Sequence, residues 1–249
     1  MPGGGLRLAV TLLTAIPLRD EPGAVPARRA AAAMSWAPVV GLLLGAAAAA
    51  VLWTFSRYAH AGPLLAAVAV VAALALLTRG LHLDGLADLA DGLGSRQPAD
   101  AALAIMKRSD IGPFGVVTLV LTLLVQVAAL ARADEIGRGV PAVITAVVAG
   151  RLALTWACRR GVPAARGSRL GALVAGTVHP VVPIALSVVA VVAAVAYRPI
   201  LGVGVAVGLA VAAALTWHAV RRLGGITGDV LGALVEITTA VCLLVTAVS

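Results

Sequence analysis

AAMSWAPVVGLLLGAAAAAVLWTF, Ala32 to Phe55, runs for 24 residues without a charged side chain. An α-helix rises about 1.5 Å per residue, so about 20 apolar residues cross the roughly 30 Å hydrocarbon core of a bilayer. Six further runs read the same way: Gly62–Thr78, Pro113–Ala131, Val140–Cys158, Pro180–Tyr197, Ile200–Val220 and Val230–Val248. The chain is 61% hydrophobic and 12% charged, against about 25% charged in soluble domains. Strict two-residue alternation, the mark of a membrane β-barrel, is absent. These features predict an all-α fold: a polytopic integral membrane helical bundle with about seven transmembrane helices, residues 1–249 forming one membrane-embedded domain. LRLAVTLLTAIPL, from Leu6, is too short to span and is closed by Pro17, so it reads as an interfacial or partly inserted helix and not as a cleavable signal peptide.

The charges sort by side. Loops joining successive spans alternate across the membrane. One side collects 14 Lys and Arg: Arg7, Arg19, Arg28, Arg29, Arg79, Arg96, Lys107, Arg108, Arg159, Arg160, Arg166, Arg169, Arg221 and Arg222. The other has four, Arg57, Arg132, Arg138 and Arg198. Cytoplasmic loops carry the Lys/Arg excess, so the N-terminus is expected in the cytoplasm and the C-terminus outside. The net charge of +8 is thereby topological, and with no basic stripe interleaved with aromatics no nucleic-acid partner is expected. Cys158 and Cys242 sit far apart in apolar runs and suggest neither disulfide nor metal site.

The longest connection holds TRGLHLDGLADLADGLGS, Thr78 to Ser95. At about 100° per residue, Asp84, Asp88 and Asp91 share one helical face, with Leu86, Leu89 and Leu93 opposite. Three like charges on adjacent turns repel and need solvent, basic side chains or a divalent cation. Mg²⁺ takes carboxylate oxygens together with phosphates and waters, so the spacing suits Mg²⁺ carrying a diphosphate. The alternative is a solvated helix at the membrane surface.

Other polar residues gather nearby in sequence. Arg79 and His82 precede the aspartates; His82 orders a carboxylate, touches substrate or is merely interfacial. IMKRSDIGPFG, Ile105 to Gly115, offers Lys107, Arg108, Ser109 and Asp110, and its two glycines imply close backbone approach. RRLGGITGDVLGALVE, Arg221 to Glu236, offers Arg222, Thr227, Asp229 and Glu236 around a glycine-rich turn that opens the last span. Arg151 lies inside a span, where an ionisable residue is a functional-site hypothesis by default; it pairs with an acid such as Glu236 or binds substrate. His179 and His218 are read as structural.

GLHLDGLADLADG, MKRSDIGPFG and RLGGITGDVLGALVE, in that order, with the early IPL and APVVGLLLG, resemble the cobalamin synthase (adenosylcobinamide-GDP ribazoletransferase) family over nearly the whole chain. The resemblance implies a Mg²⁺-dependent enzyme of the inner (cytoplasmic) membrane, with its site facing the cytoplasm. It would join adenosylcobinamide-GDP to α-ribazole or its 5′-phosphate, give adenosylcobalamin or its 5′-phosphate, and release GMP. The implied catalytic residues are Asp84, Asp88, Asp91, Asp229 and Glu236, the first three as metal ligands. The implied substrate contacts are Arg79, His82, Lys107, Arg108, Ser109, Asp110, Arg151, Arg222 and Thr227. The implied partners are the two substrates and membrane lipid, with room for a homo-oligomer or contact with other corrinoid-assembly enzymes. Two positions depart from the family pattern. Arg108-Ser109-Asp110 exchanges the usual charges across its serine, and Thr239 stands where a second acid often follows Glu236. The rival readings are a CDP-alcohol phosphotransferase-like or prenyltransferase-like enzyme, or a transporter. The first expects Ala and Arg after Asp84-Gly85 where this chain has Leu86-Ala87-Asp88, and a transporter would be expected to show repeated halves.

Overall fold

The computed structural model describes residues 3–18, 24–57 and 62–248; Arg19, counted above among the basic residues, lies outside them. Eleven helices make up the described chain: α1 (Gly3–Leu13), α2 (Ala27–Arg57), α3 (Gly62–Leu77), α4 (Leu81–Gly94), α5 (Ala99–Ile105), α6 (Pro113–Glu135), α7 (Gly139–Ala157), α8 (Arg169–Val174), α9 (Val181–Tyr197), α10 (Pro199–Leu223) and α11 (Gly228–Ala247). No β-strand forms among these residues, only two isolated bridges in loops.

Every expected span is a helix. Five of them, α2, α6, α7, α10 and α11, are long and apolar enough to cross a membrane. The other two expected spans are the shorter apolar helices α9, with 17 residues, and α3, with 16, at or just under the lower end of the roughly 17–25 residues that span. If α3 and α4 count as one broken span, the total of long apolar elements is six. The chain is a multi-pass membrane protein. The expected interfacial helix is α1, which ends at Leu13, four residues before Pro17, where Thr14 turns its hydroxyl back to the Val10 carbonyl.

Water is not available to drive helices together in lipid, so close van der Waals packing of small residues does much of that work. Two Gly-x3-Gly pairs show it. Gly41 and Gly45 of α2 meet the backbone of α7 at Val147, Val148 and Ile144, and Gly204 and Gly208 of α10 meet α11 at Cys242 and Thr238. A methyl at any of the four would press on its neighbour within about 3.0–3.3 Å. One of the two most enclosed helices, α11, packs on α4, α6, α7 and α10. Outward faces of α9 and α6 present Val188, Val189, Val192, Leu121 and Leu124, as lipid contact requires.

At Arg79-Gly80 the chain turns by 89° between α3 and α4. Both residues adopt left-handed backbone conformations, φ 55° and 67°. Gly80 N–H closes α3 by donating to the Ala75 carbonyl. The bend lays α4 across one end of the bundle, over the first turns of α11. The segments at that end are α1, the connection through α4 and α5 to α6, the loop before and through α8, and the turn before α11.

Candidate active site

Two helices cross where both lack side chains. A Cβ on Gly85 of α4 would lie 2.8 Å from the Asp229 Cα, and one on Gly232 of α11 would lie 3.0 Å from the His82 carbonyl oxygen. This contact seats the aspartate face of α4 against the first turn of α11. Asp84 is exposed, Asp88 half-buried, and Leu86 and Leu89 are buried behind them, the amphipathic split expected from the sequence. Burial first, then the charges of Asp84, Asp229 and Asp91, push the Asp88 carboxyl up to about 7. Opposing this cluster, Thr227 caps α11. Its hydroxyl accepts from the N–H groups of Asp229 and Val230 and donates to Asp229 Oδ2, each at 3.1 Å. Thr227, an expected substrate contact, uses its hydroxyl to aim Asp229 and close the helix end.

Asp91 takes a different place from its neighbours. Its Oδ2 accepts from Gly112 N–H at 2.7 Å and its Oδ1 from Gly115 N–H at 2.9 Å. These are orphan donors at the start of α6, where Pro113 has none to offer. The carboxylate occupies the space a Cβ on either glycine would need, which is why both positions are glycine. The aspartate face is open at Asp84 and roofed over by the α6 entry at Asp91, so Asp91 ties α4 to α6. Of the three aspartates expected as metal ligands, Asp91 is the one whose two oxygens already accept backbone N–H groups.

Two clefts open beside the cluster. The larger, about 1020 Å³, is lined by Asp84, Asp88, Arg79, Arg108, Ser109 and Asp110, among others. Arg108 and Asp110 form a bidentate pair at 3.0 and 2.9 Å, and the hydrogen bond from Arg108 draws the Asp110 carboxyl below its ordinary range. The exchange of charges across Ser109 thus leaves a pair that is symmetric under exchange. The smaller cleft, about 500 Å³, is lined by Asp229, Lys107, Thr227, Arg166, Ser168 and Arg169. A cavity of about 90 Å³ lies between them, sharing Asp84 with the first and Asp229 with the second. Arg166, Ser168 and Arg169 were read from sequence only as topological charge or not at all.

The remaining expected residues line neither cleft. Arg222 donates to the Gln97 carbonyl at 3.3 Å and lines neither cleft. His82, on α4, lines the cavity of about 90 Å³ with Asp84 and Asp229; it is buried and both ring nitrogens are unpartnered, so it hydrogen-bonds no carboxylate. Arg151 and Glu236 line one small internal cavity of about 20 Å³, which shares Thr78 and Leu83 with the larger cleft. Glu236 accepts from Gln126 Nε2 at 2.8 Å, whereas Arg151 Nε has no partner. The sequence signal for Gln126, an amide in the middle of an apolar run, was there to be read.

Among the described residues no three His, Cys, Asp or Glu side chains converge as a ready-made metal cage. Mg²⁺ does not require one, because it usually binds through one or two carboxylates plus substrate phosphates and waters. The mutual repulsion at Asp84, Asp88 and Asp229 is the kind of charge excess such an ion offsets.

Fold and site together define a multi-pass helical membrane protein with a carboxylate cluster between two cation-rimmed clefts at one end of the bundle. The family profile described as Cobalamin-5-phosphate synthase matches residues 5–247, and this chain belongs to that family. Relatives named adenosylcobinamide-GDP ribazoletransferase include one from Frankia casuarinae, 44% identical over 98% of this chain and 94% of the relative. Another, from Nocardioides sp., is 41% identical over 96% of both chains, and one from Chlorobium phaeobacteroides is 34% identical over 94% and 93%. No solved structure matches the chain.

Proposed function

We propose that this chain is the transferase its relatives are named for, acting on adenosylcobinamide-GDP and α-ribazole or α-ribazole 5′-phosphate. The acceptor hydroxyl oxygen bonds to the phosphorus attached to the cobinamide arm. The phosphoanhydride bond to the second phosphorus breaks, GMP leaves with that bonding pair, and the hydroxyl proton passes to a carboxylate. Phosphoryl transfer asks a protein chiefly for positioning and charge neutralisation.

The observation that carries this reading is the α4–α11 crossing, which brings Asp84 and Asp88 at the large cleft beside Asp229 at the small one. Asp84 and Asp88 would hold Mg²⁺, which when bound supplies neutralisation of the diphosphate. Asp229, aimed by Thr227, accepts the acceptor's proton. Glu236, named with it from sequence, sits too deep for that role and is engaged by Gln126. Arg79 and Arg108 at the large cleft balance phosphate charge, and Asp91 holds α4 in register with α6. The 14-to-4 charge asymmetry supports placing both clefts on the cytoplasmic side of the inner membrane.

The test is chromatographic detection of GMP from adenosylcobinamide-GDP in detergent-solubilised protein. Release is expected only when both α-ribazole and Mg²⁺ are present. Release without an acceptor would make the chain a hydrolase, and no release with any acceptor would refute the reading.

A further inference from the structure

The smaller cleft carries a feature the reaction as stated does not use. Lys107, Arg166 and Arg169 all line it, with Asp229 the one carboxylate among its lining residues. The loop bearing the two arginines is braced. Ala165 N–H donates to the Ile226 carbonyl at 3.0 Å, and Ile226 N–H donates to the Pro163 carbonyl at 2.9 Å. Gly167, at φ 70°, lies beneath the lysine: a Cβ there would be 3.1 Å from Lys107 Nζ. Among the described residues Arg166 meets only Asp100, at 3.8 Å between side chains that are 86% and 78% exposed, a separation and exposure worth little. Three cations against one fixed anion leave an excess of two positive charges. A phosphomonoester brings about −1.5 to −2 at neutral pH.

We propose that this cleft admits the acceptor substrate and that Lys107, Arg166 and Arg169 bind its 5′-phosphomonoester, so that its ribose hydroxyl meets Asp229. The diphosphate of the other substrate lies in the larger cleft, on the far side of the carboxylate cluster, and the two reactants approach from opposite sides of Leu170, which lines both clefts. The cleft volumes, about 1020 Å³ and about 500 Å³, are of the order of small-molecule sites, about 300–1,000 Å³, and the larger cleft goes to the larger substrate. The assignment makes Arg166 and Arg169 specificity determinants that distinguish a phosphorylated acceptor from a free nucleoside. It rests on the transferase reading above.

Calorimetric titration of the full chain in detergent tests it without turnover, using α-ribazole 5′-phosphate and α-ribazole as ligands. Wild type is expected to bind the phosphate at least about 10-fold more tightly, since hydrogen bonds to charged groups contribute about 1.5–3 kcal/mol each. Arg166→Gln with Arg169→Gln should abolish most of that preference while moving the α-ribazole Kd by less than about threefold. The single Arg169→Gln should fall between, and the α-ribazole titration reports that the fold survives. No preference in wild type, a preference the variants keep, or equal weakening of both ligands would overturn the proposal. Should the preference behave as expected while GMP release fails, the reaction is wrong and the phosphate site stands.

Discussion

Replacing Asp91 by Asn removes the charge and keeps the shape, and so asks what this carboxylate is for. In the native protein its two oxygens take the Gly112 and Gly115 N–H groups at 2.7 and 2.9 Å in a site only 9% exposed. Asparagine keeps one oxygen. One hydrogen bond survives at neutral strength, and the other N–H faces an NH₂ donor, leaving two donors opposed. Charged hydrogen bonds contribute about 1.5–3 kcal/mol and an unsatisfied buried donor costs about 1–3 kcal/mol, so a net loss of about 2–4 kcal/mol follows. For a chain of this size that is a fall of roughly 5–15 °C in Tm. Thermal unfolding in a mild detergent, followed by intrinsic tryptophan fluorescence, reads it. Any loss of turnover should persist at excess Mg²⁺, because the defect lies at the α4–α6 junction. An Asp91→Asn protein with wild-type Tm whose turnover is restored by raised Mg²⁺ would refute the structural role and return Asp91 to the metal site.

Asp84→Asn and Asp88→Asn should each lower turnover by orders of magnitude at limiting Mg²⁺, with partial rescue by excess Mg²⁺ in the milder of the two; Asp100→Asn, on α5 beyond the cluster, should be nearly silent in the same assay. Gly85→Ala sets a methyl 2.8 Å from the Asp229 Cα, so turnover should fall by more than about 10-fold while circular dichroism still reports a folded helical protein. Asp88 titrates at about 7 when folded against 3.8 unfolded, so the folded state binds more protons between those values and metal-free stability should fall as pH rises from about 4 to 7. Asp88→Asn should flatten that slope, measured as Tm against pH. The exchange Arg108→Asp with Asp110→Arg should retain more activity than Arg108→Asp alone, because it restores the pair.

Composition and period were enough for the architecture. Seven apolar runs became helices because a backbone in lipid must satisfy its own hydrogen bonds. The Asp-rich segment showed its amphipathic split in the spacing of Asp84, Asp88, Leu86 and Leu89. What could not be read is which residues long-range packing would cover. Asp91 lies on the same helical face as Asp84, and only the return of the chain at Gly112 and Gly115 hides it. Thr227 and Asp229 are two residues apart in sequence, yet the cap that joins them depends on where α11 begins. Arg166 and Arg169 looked like ordinary positive-inside charge, because nothing local shows that their loop is pinned to the Ile226 turn. Arg151 and Glu236 stand out in sequence as costly inside a span, but only packing shows the small internal cavity they share, which adjoins the larger cleft at Thr78 and Leu83.

The central claim is that Asp84 and Asp88 hold a divalent cation beside Asp229. Electron paramagnetic resonance of Mn²⁺, used in place of Mg²⁺, measures this directly on the solubilised full chain. Wild type should bind Mn²⁺ in a protein-bound form that tightens when adenosylcobinamide-GDP is added. Asp84→Asn combined with Asp88→Asn should weaken that binding at least about 10-fold, as expected when charged ligands are lost, while Asp100→Asn leaves it unchanged. Unaltered Mn²⁺ binding in the Asp84/Asp88 variant would contradict the account.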